Sequence, residues 1–318
     1  MSRLLVDVLI LGAGPAGLAT ANALARQLHT AIVFNSFQFR NANAKYMHNV
    51  AGWDHRPPSE FREKTKADIL ARYETIEFKD VTIAQVKKLE SGYFEAVDVD
   101  NQTYVGKKVV LASGVKDVMP DIPGFTELWG TGIFHCLFCH GFEAHGHASA
   151  GVLAVGPMAN TMFPPPISRM ASRLARTINV YTNGRPELGA EIRVLLKSTK
   201  KFTIENRKII KFEKDAAVPG SAGVLVTLED GTANKEGFVA HTPHSKQSSP
   251  FAEQLGLELA PQGYVQIVPP FNETNVPGVF AAGDCATLIK AVPTATMMGA
   301  MVAAGIAHTL QAEEDIEE

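Results

Sequence analysis

Val6 to Gly17 reads Val-Asp-Val-Leu-Ile-Leu-Gly-Ala-Gly-Pro-Ala-Gly, an apolar run closing on three glycines in the order G-x-G-x-x-G. The run has the length and β-branched content of a buried strand. The Ala and Leu positions of Leu18 to Leu28 suit a helix laid back on a sheet, and Ala31 to Phe34 reads as the next strand. This context gives the glycines a mechanical meaning. Gly12 permits a tight turn, Gly14 lets the backbone approach a pyrophosphate, and Gly17 lets helix and strand pack closely, with the phosphates at the positive helix N-terminus. The pattern predicts an α/β protein that opens with a dinucleotide-binding unit.

Working outward, a ribose-binding carboxylate is expected at the end of the second strand. The sequence places Asn35 and Ser36 there, polar groups that can hydrogen-bond a hydroxyl without charge. Ser59 to Tyr73 reads as a helix, and Glu77 to Leu111 as a meander of strands with turns at Ser91-Gly92 and Asp100-Asn101. After a Pro- and Gly-containing connector from Asp117 to Gly124, a new apolar strand, Gly151 to Val155, opens a second α/β unit that continues through Ile178 to Tyr181. Further strands are expected at Lys208 to Phe212 and Gly223 to Leu228. A polar link from His241 to Pro250 then leads back to the first unit, where Val279 to Asp284 is a strand stopped by Gly-Asp and followed by a small-residue helix. The domains predicted are therefore 1–117 with 248–318, and 118–247. The acidic tail from Glu313 to Glu318 is expected to fray.

At 318 residues and 46% hydrophobic content the chain can build more than one core. Thirty Lys and Arg against 33 Asp and Glu, with no long basic run, give no reason to expect nucleic acid or an anionic membrane as partner. Met1 leads straight into the first strand without a secretory pattern. The weakly polar stretch Ala291 to Ala307 contains Pro293 and suits a buried helix better than a membrane span. Three cysteines exclude a disulfide scaffold and fit a reducing compartment, so a cytoplasmic location is expected.

Two of those cysteines stand in His135-Cys136-Leu137-Phe138-Cys139-His140-Gly141. Their spacing allows an intramolecular disulfide, and a neighbouring imidazolium can lower a thiol pKa toward neutrality. Half of a zinc site completed by His140 or His145 is the competing reading. The chain has no second Cys-x-x-Cys, and the dinucleotide fingerprint offers an electron partner, which favours redox chemistry with no metal. His140 can move protons in the working pH range, or can be an ordinary surface histidine. Cys285, alone after Asp284, reads as a buried small hydrophobe.

The second unit lacks the glycine turn that a nicotinamide nucleotide needs. Gly156-Pro157-Met158-Ala159-Asn160 puts a proline without an N–H and a bulky side chain where phosphate should approach, and Pro164-Pro165-Pro166 interrupts the helix meant to receive it. Thr182-Asn183-Gly184-Arg185-Pro186 brings no arginine cluster for a 2′-phosphate. Arg169, Arg173 and Arg176 have the spacing of one helical face and read as solvated.

The N-terminal fingerprint, the central Cys-x-x-Cys and the late Gly-Asp strand occur in the order that resembles low-molecular-weight thioredoxin reductase, over nearly the whole chain. Within that family Phe39-Arg40-Asn41, Lys45-Tyr46-Met47-His48, Ala51-Gly52-Trp53-Asp54, Cys136 to Gly141 and Val180 to Gly184 resemble the dithiol oxidases of gliotoxin-type and holomycin-type natural products. The resemblance implies two Rossmann-like three-layer nucleotide-binding domains, FAD as cofactor and a homodimer. It implies that Gly12, Ala13, Gly14, Pro15, Ala16 and Gly17 hold the pyrophosphate and Asn35, Ser36 and Arg40 the adenosine side. His48 and Asn49 would lie near the isoalloxazine, Ala112 near the adenine, Asp284 on the ribityl chain and Val292 at the pyrimidine edge. Cys139 would face the flavin and Cys136 the substrate, with His140 standing where ordinary reductases carry an acidic proton donor. The expected reaction closes a disulfide in a small secondary-metabolite dithiol, with molecular oxygen as acceptor and hydrogen peroxide as product. The rivals are an NADPH-dependent disulfide reductase and a flavin- or zinc-binding sensor module.

Overall fold

The computed structural model describes residues 5–217 and 223–317, with side chains described as far as residue 315. The chain opens with β1 (Leu5–Leu11), whose last four residues are all buried, as a central parallel strand covered on both faces requires. Next come α1 (Pro15–Ala25), entered at a proline whose fixed φ suits a first helical position, and β2 (Ala31–Phe34), parallel to β1 with Val8 opposite Ala31. α2 (Pro58–Leu70) leads to β3 (Ile76–Lys79), parallel to β2. The helix expected as far as Tyr73 stops at Leu70, and the Tyr73 N–H is satisfied by the Ile69 carbonyl in a closing turn. β4 (Ile83–Lys88), β5 (Phe94–Asp98) and β6 (Thr103–Leu111) form an antiparallel meander, and β6 also runs parallel beside β1. The strand at Glu77, expected to begin that meander, instead joins the opposite edge of the sheet. Alternation of apolar and polar residues identifies a strand without identifying its partner.

Past β7 (Val115–Val118) come α3 (Phe125–Leu128), β8 (Ile133–Phe134), α4 (Leu137–His140) and β9 (His147–Leu153). α5 (Pro164–Ala171), β10 (Ala175–Tyr181), α6 (Pro186–Leu195) and β11 (Phe202–Glu205) follow. Next are β12 (Ile209–Lys214), β13 (Val224–Leu228), β14 (Ala233–Glu236) and β15 (Val239–Ala240). Strands β11, β10, β9, β15 and β8 make a five-stranded sheet in that order, every pairing parallel, and β12, β13 and β14 a separate antiparallel one. One apolar cluster, with Ile178, Val180 and Ile192, packs helices on one face of the parallel sheet. Another, with Phe125, Phe212 and Val226, fills the other face beneath the antiparallel strands. The result is three layers. β16 (His244–Gln247), α7 (Phe251–Gln254), β17 (Val279–Ala281) and α8 (Val292–Glu317) complete the chain, with β17 parallel to β6.

The chain divides into two compact units. The first comprises Met1–Tyr46, Val50–Lys116 and Ser245–Glu318, the second Met47–Asn49 and Asp117–His244. Where the sequence places boundaries after Asp117 and before Ser248, the chain changes unit after Lys116 and after His244, and the short segment carrying His48 packs with the second unit.

The small-residue composition of α8 is explained by its neighbour. A Cβ on Gly299 would lie 2.3 Å from the Ala16 carbonyl oxygen, and the Thr20 hydroxyl donates to the Gly299 carbonyl at 3.1 Å, so α1 and α8 meet backbone to backbone. α8 is helical through Glu317, where the acidic tail was expected to fray, and Lys108 donates to Glu313 along it; Glu318 lies outside the described residues. The three arginines spaced as a helical face do not share one. Arg169 lies in α5 and donates to the Leu195 carbonyl at 2.9 Å, Arg173 follows the helix, and Arg176 is in β10. Among the described residues no helix is long and apolar enough to cross a membrane.

His241 and Glu236 are buried titratable groups of the second unit. His241 has one ring nitrogen on the Leu153 carbonyl at 2.9 Å and its Nε2 unpartnered, and burial pushes its pKa down to about 4. Glu236 accepts from Ser149, Asn179 and Tyr181 with no cation among those partners, and burial raises its pKa.

Candidate active site

Each unit presents one glycine turn after its first long parallel strand, and the two turns differ in geometry. In the first, Gly12 has φ +125°, and a Cβ there would lie 2.4 Å from the Ala112 carbonyl oxygen. A Cβ on Gly17 would lie 1.9 Å from the Gly12 carbonyl oxygen, while Gly14 faces open space. Bare backbone is thus required at the first and third glycines, and room remains at the second. α1 begins there without a side-chain cap and without an acidic residue in its first turn, so its positive end and its first N–H groups are left to an external acceptor.

Around that turn, Gly283 packs on Ala16, its added Cβ 2.9 Å from the Ala16 Cβ, which brings Asp284 to the same end of the sheet. Arg40 reaches Asp284 at 3.2 Å. Asn35 is buried, its amide donating to Asp80 at 3.0 Å and its oxygen accepting from the Phe37 N–H at 3.0 Å. Asp80, next after β3, therefore supplies beside β2 the carboxylate that β2 itself lacks. Sequence reading misses it because it lies 45 residues beyond Asn35 and is brought there only by strand pairing. Ser36 is exposed, Ala112 buried, and Val292 half-buried at the start of α8. An open glycine, an uncapped helix N-terminus without its own counter-charge, and flanking polar groups fit the pyrophosphate and sugars of FAD.

The second turn is closed. Gly156 to Met158 forms a single 3₁₀ turn, and Asn160 folds its side chain back on the chain, donating to the Pro157 carbonyl and accepting from the N–H groups of Met162 and Phe163. The three prolines expected to interrupt a helix instead begin one. α5 starts at Pro164, so its first three residues carry no N–H, and the next, Ile167, donates to the Phe163 carbonyl. This terminus offers a phosphate no backbone donor. An adjoining open cavity of about 410 Å³ has Arg185, Glu187 and Glu191 as its charged lining, two carboxylates against one guanidinium.

The thiols sit in the second unit. Cys136 and Cys139 are joined as a disulfide with their Cα atoms 5.3 Å apart. The turn holding them is short, with the Cys136 carbonyl accepting from the N–H groups of both Cys139 and His140. Both sulfur residues are half-buried, while Phe138 between them and Phe142 beyond are exposed. His140 stacks on Phe134 at 5.4 Å, and burial lowers its pKa, helped by the charge of His48 and opposed by Glu143. The ring of His48 stands 6.4 Å from that of His140. His48 contacts the Cys139 carbonyl oxygen through Nδ1 at 2.8 Å and Glu143 Oε1 through Nε2 at 3.1 Å. Glu143 is the second residue that sequence reading passes over. Its position three after His140 is the signal that could have found it, since the turn following α4 returns it to the same side. Asn49, next to His48, is exposed with φ +58°. Cys285, in the first unit, is fully buried against the carbonyls of Leu111 and Ala282, and burial pushes its thiol up to about 12, which leaves it inert at neutral pH.

A family model described as pyridine nucleotide-disulphide oxidoreductase matches residues 6–157 and 203–299. Thioredoxin reductase aclD of Aspergillus oryzae is 42% identical over 316 residues, covering 99% of each chain. Thioredoxin reductase tcpT of Claviceps purpurea is 43% identical over 296 residues, 93% of this chain and 91% of the other. An oxidoreductase from Agrobacterium tumefaciens, solved by crystallography, superposes with a TM-score of 0.85 at 28% identity, covering 97% and 99% of the two chains.

Proposed function

The chain belongs to the pyridine nucleotide-disulphide oxidoreductase family and binds FAD, and on that premise we propose that it is a dithiol oxidase, closing a disulfide in a small secondary-metabolite dithiol of the epidithiodiketopiperazine type. The observation that carries this reading is the proline-headed start of α5, where a nicotinamide nucleotide finds no backbone donor for its phosphates. Electrons then have to enter from a thiol.

Cys136 and Cys139 are the exchanging pair. A substrate thiolate attacks Cys136 Sγ, the Cys136–Cys139 bond breaks, and its electron pair leaves on Cys139 Sγ. The second substrate thiol then displaces Cys136 and completes the substrate disulfide. His140, held neutral by burial, accepts the protons released by the substrate thiols. Bound FAD supplies the two-electron acceptor that restores the protein disulfide, with oxygen as terminal acceptor and hydrogen peroxide as product. Gly12 to Gly17 would hold its pyrophosphate, Asn35, Ser36 and Arg40 its adenosine side, with Ala112, Asp284 and Val292 along its length and His48 and Asn49 toward its ring. The same family resemblance supports a homodimer, which the mass in dilute solution checks, and the three cysteines support a reducing, cytoplasmic location.

The relatives' name, thioredoxin reductase, supports the rival reading of nicotinamide-driven disulfide reduction. The test is direct. Anaerobic addition of a small dithiol should bleach the yellow protein, and oxygen should restore the colour with about one peroxide per disulfide, as a two-electron exchange requires. NADPH and NADH should leave the spectrum unchanged. Rapid stoichiometric bleaching by NADPH would return the chain to the reductases.

A further inference from the structure

From Val292 to Ala307, α8 carries no Asp, Glu, Lys, Arg or His. Its inner side, with Met298, Val302, Ala303 and Ile306, is buried, and Gly299 there meets α1. The residues left exposed are Pro293, Met297, Ala300, Met301 and Ala304, followed one turn on by His308. At the α-helical angular step these fall in a single stripe about 100° wide. Met297 is 52% exposed and Met301 37%, and Leu288 and Ile289, just ahead of the helix, are exposed as well. A surface helix ordinarily turns charge outward, as α2 of the same unit does with Glu63 and Lys64, whereas a helix apolar all round is one that something covers. No helix among the described residues is long and apolar enough to cross a membrane, so a bilayer span does not account for the stripe.

We propose that this stripe is a contact between two copies of the chain, their α8 helices paired antiparallel across a two-fold axis that passes near Ala300 and Met301. The proposal names a surface for the homodimer supported above and rests on that reading. With the axis there, Ala300 of each copy faces Met301 of the other, Met297 faces Ala304, and Pro293 faces His308. Each thioether meets a methyl group, so the long, adaptable side chains fill the space that the short ones leave. An isologous contact requires this self-complementarity, since residue i meets residue j and residue j meets residue i. Parallel pairing would instead set Met297 on Met297 and Ala300 on Ala300, crowding one level and leaving the next empty.

The ends of the helix favour the same direction. Lys290 stands just before α8, and Glu313 and Glu314 lie near its C-terminus, Glu313 engaged by Lys108 of its own chain. Antiparallel pairing brings Lys290 of one copy opposite Gln311 of the other, about one turn from Glu314, whereas parallel pairing would set like charges together. Opposed helix dipoles add to the preference. Between those ends the stripe holds no charge that burial would have to desolvate, and the small side chains at Ala300 and Ala304 let the two helix axes approach closely.

Sedimentation of the FAD-loaded enzyme tests the pairing without any turnover, so its outcome is independent of the oxidase assay. The wild type should sediment as a dimer at micromolar concentration. Met297→Glu should raise the dimer dissociation constant at least about 100-fold, because it buries an unpaired carboxylate against Ala304 of the other copy, while the variant stays yellow and unfolds in one cooperative transition. Ala304→Lys alone should have the same effect. Both changes in one chain should restore the dimer, since each introduced carboxylate then meets an introduced ammonium across the axis. Single variants that remain dimeric overturn the α8 surface and leave the homodimer reading to another face. Single variants that dissociate and a double variant that stays apart overturn the antiparallel register. A monomeric wild type overturns both the surface and the homodimer, and its co-sedimentation with phosphatidylcholine vesicles would assign the stripe to a lipid surface instead.

Discussion

The turn at Gly12 to Gly17 and the turn at Gly156 to Asn160 occupy equivalent places in two α/β units, and they differ in whether backbone is left available. In the first, two glycines whose Cβ atoms would collide with carbonyl oxygens bring strand and helix together, and the uncapped start of α1 stays open. In the second, Asn160 bonds the loop to itself and three prolines remove the donors from the start of α5. A glycine turn of this kind can therefore be closed by few changes. The strands and helices around it can persist, because their stability comes from burial of apolar faces and not from a bound phosphate.

The sharpest way to break the comparison is to damage the open turn. Gly17→Val places a branched side chain where even a Cβ would sit 1.9 Å from the Gly12 carbonyl oxygen. The purified variant should be colourless, with FAD affinity lower by at least about 100-fold, on the order of 3 kcal/mol. Retention of normal yellow colour would show that the contact relaxes.

The next effect concerns the closed unit's own stability. Unfolded His241 has an ordinary pKa near 6.5, and its folded value is about 4. The unfolded chain therefore binds more protons between these values, so the contribution is fully present above about pH 6.5 and is lost as pH falls toward 4. At its limit this is roughly 3 kcal/mol. Denaturant titrations of wild type and His241→Asn across that window should show the variant with the shallower acid slope; parallel curves would refute the assignment.

Glu236 has the opposite sign. Its folded pKa is raised, so its favourable contribution exists below the unfolded carboxyl value and disappears as pH rises through the folded one. Glu236→Gln should be more stable than wild type by about 1 kcal/mol at neutral pH and indistinguishable near pH 4, since an amide avoids the buried charge. A variant that is less stable at neutral pH would mean the carboxylate is favourable as it stands. Smallest of all, Gly156→Ala should cost less than about 1 kcal/mol in thermal unfolding. Its φ of +52° is the main strain, the nearest atom to an added Cβ being His244 Cδ2 at 3.7 Å. FAD content should not change.

How much of this could be read from the sequence follows from the range of each interaction. The strand at Val6, the glycine turn, α1 and β2 lie within one local unit, so local pattern specifies them. The partner of Glu77's strand and the arrival of Asp80 beside Asn35 depend on pairing across tens of residues, which alternation does not encode. Pro164 to Pro166 have two local readings, helix breaker or helix start, and the surrounding fold selects the second. In the thiol site Cys136, Cys139 and His140 are adjacent in sequence and legible together. His48 meets them through contacts spanning about ninety residues, which local pattern does not encode.

The discontinuity of the first unit has a consequence for how the protein is made. β17 completes the edge of β6 that lies beyond β5, and α8 covers α1 through Gly299. During synthesis the first 116 residues therefore emerge without their covering helix, whereas the second unit has every residue it needs once residue 244 has been added. The inserted unit is the one able to mature first on the ribosome, and the glycine turn that names the fold waits exposed until the far end of the chain returns to it.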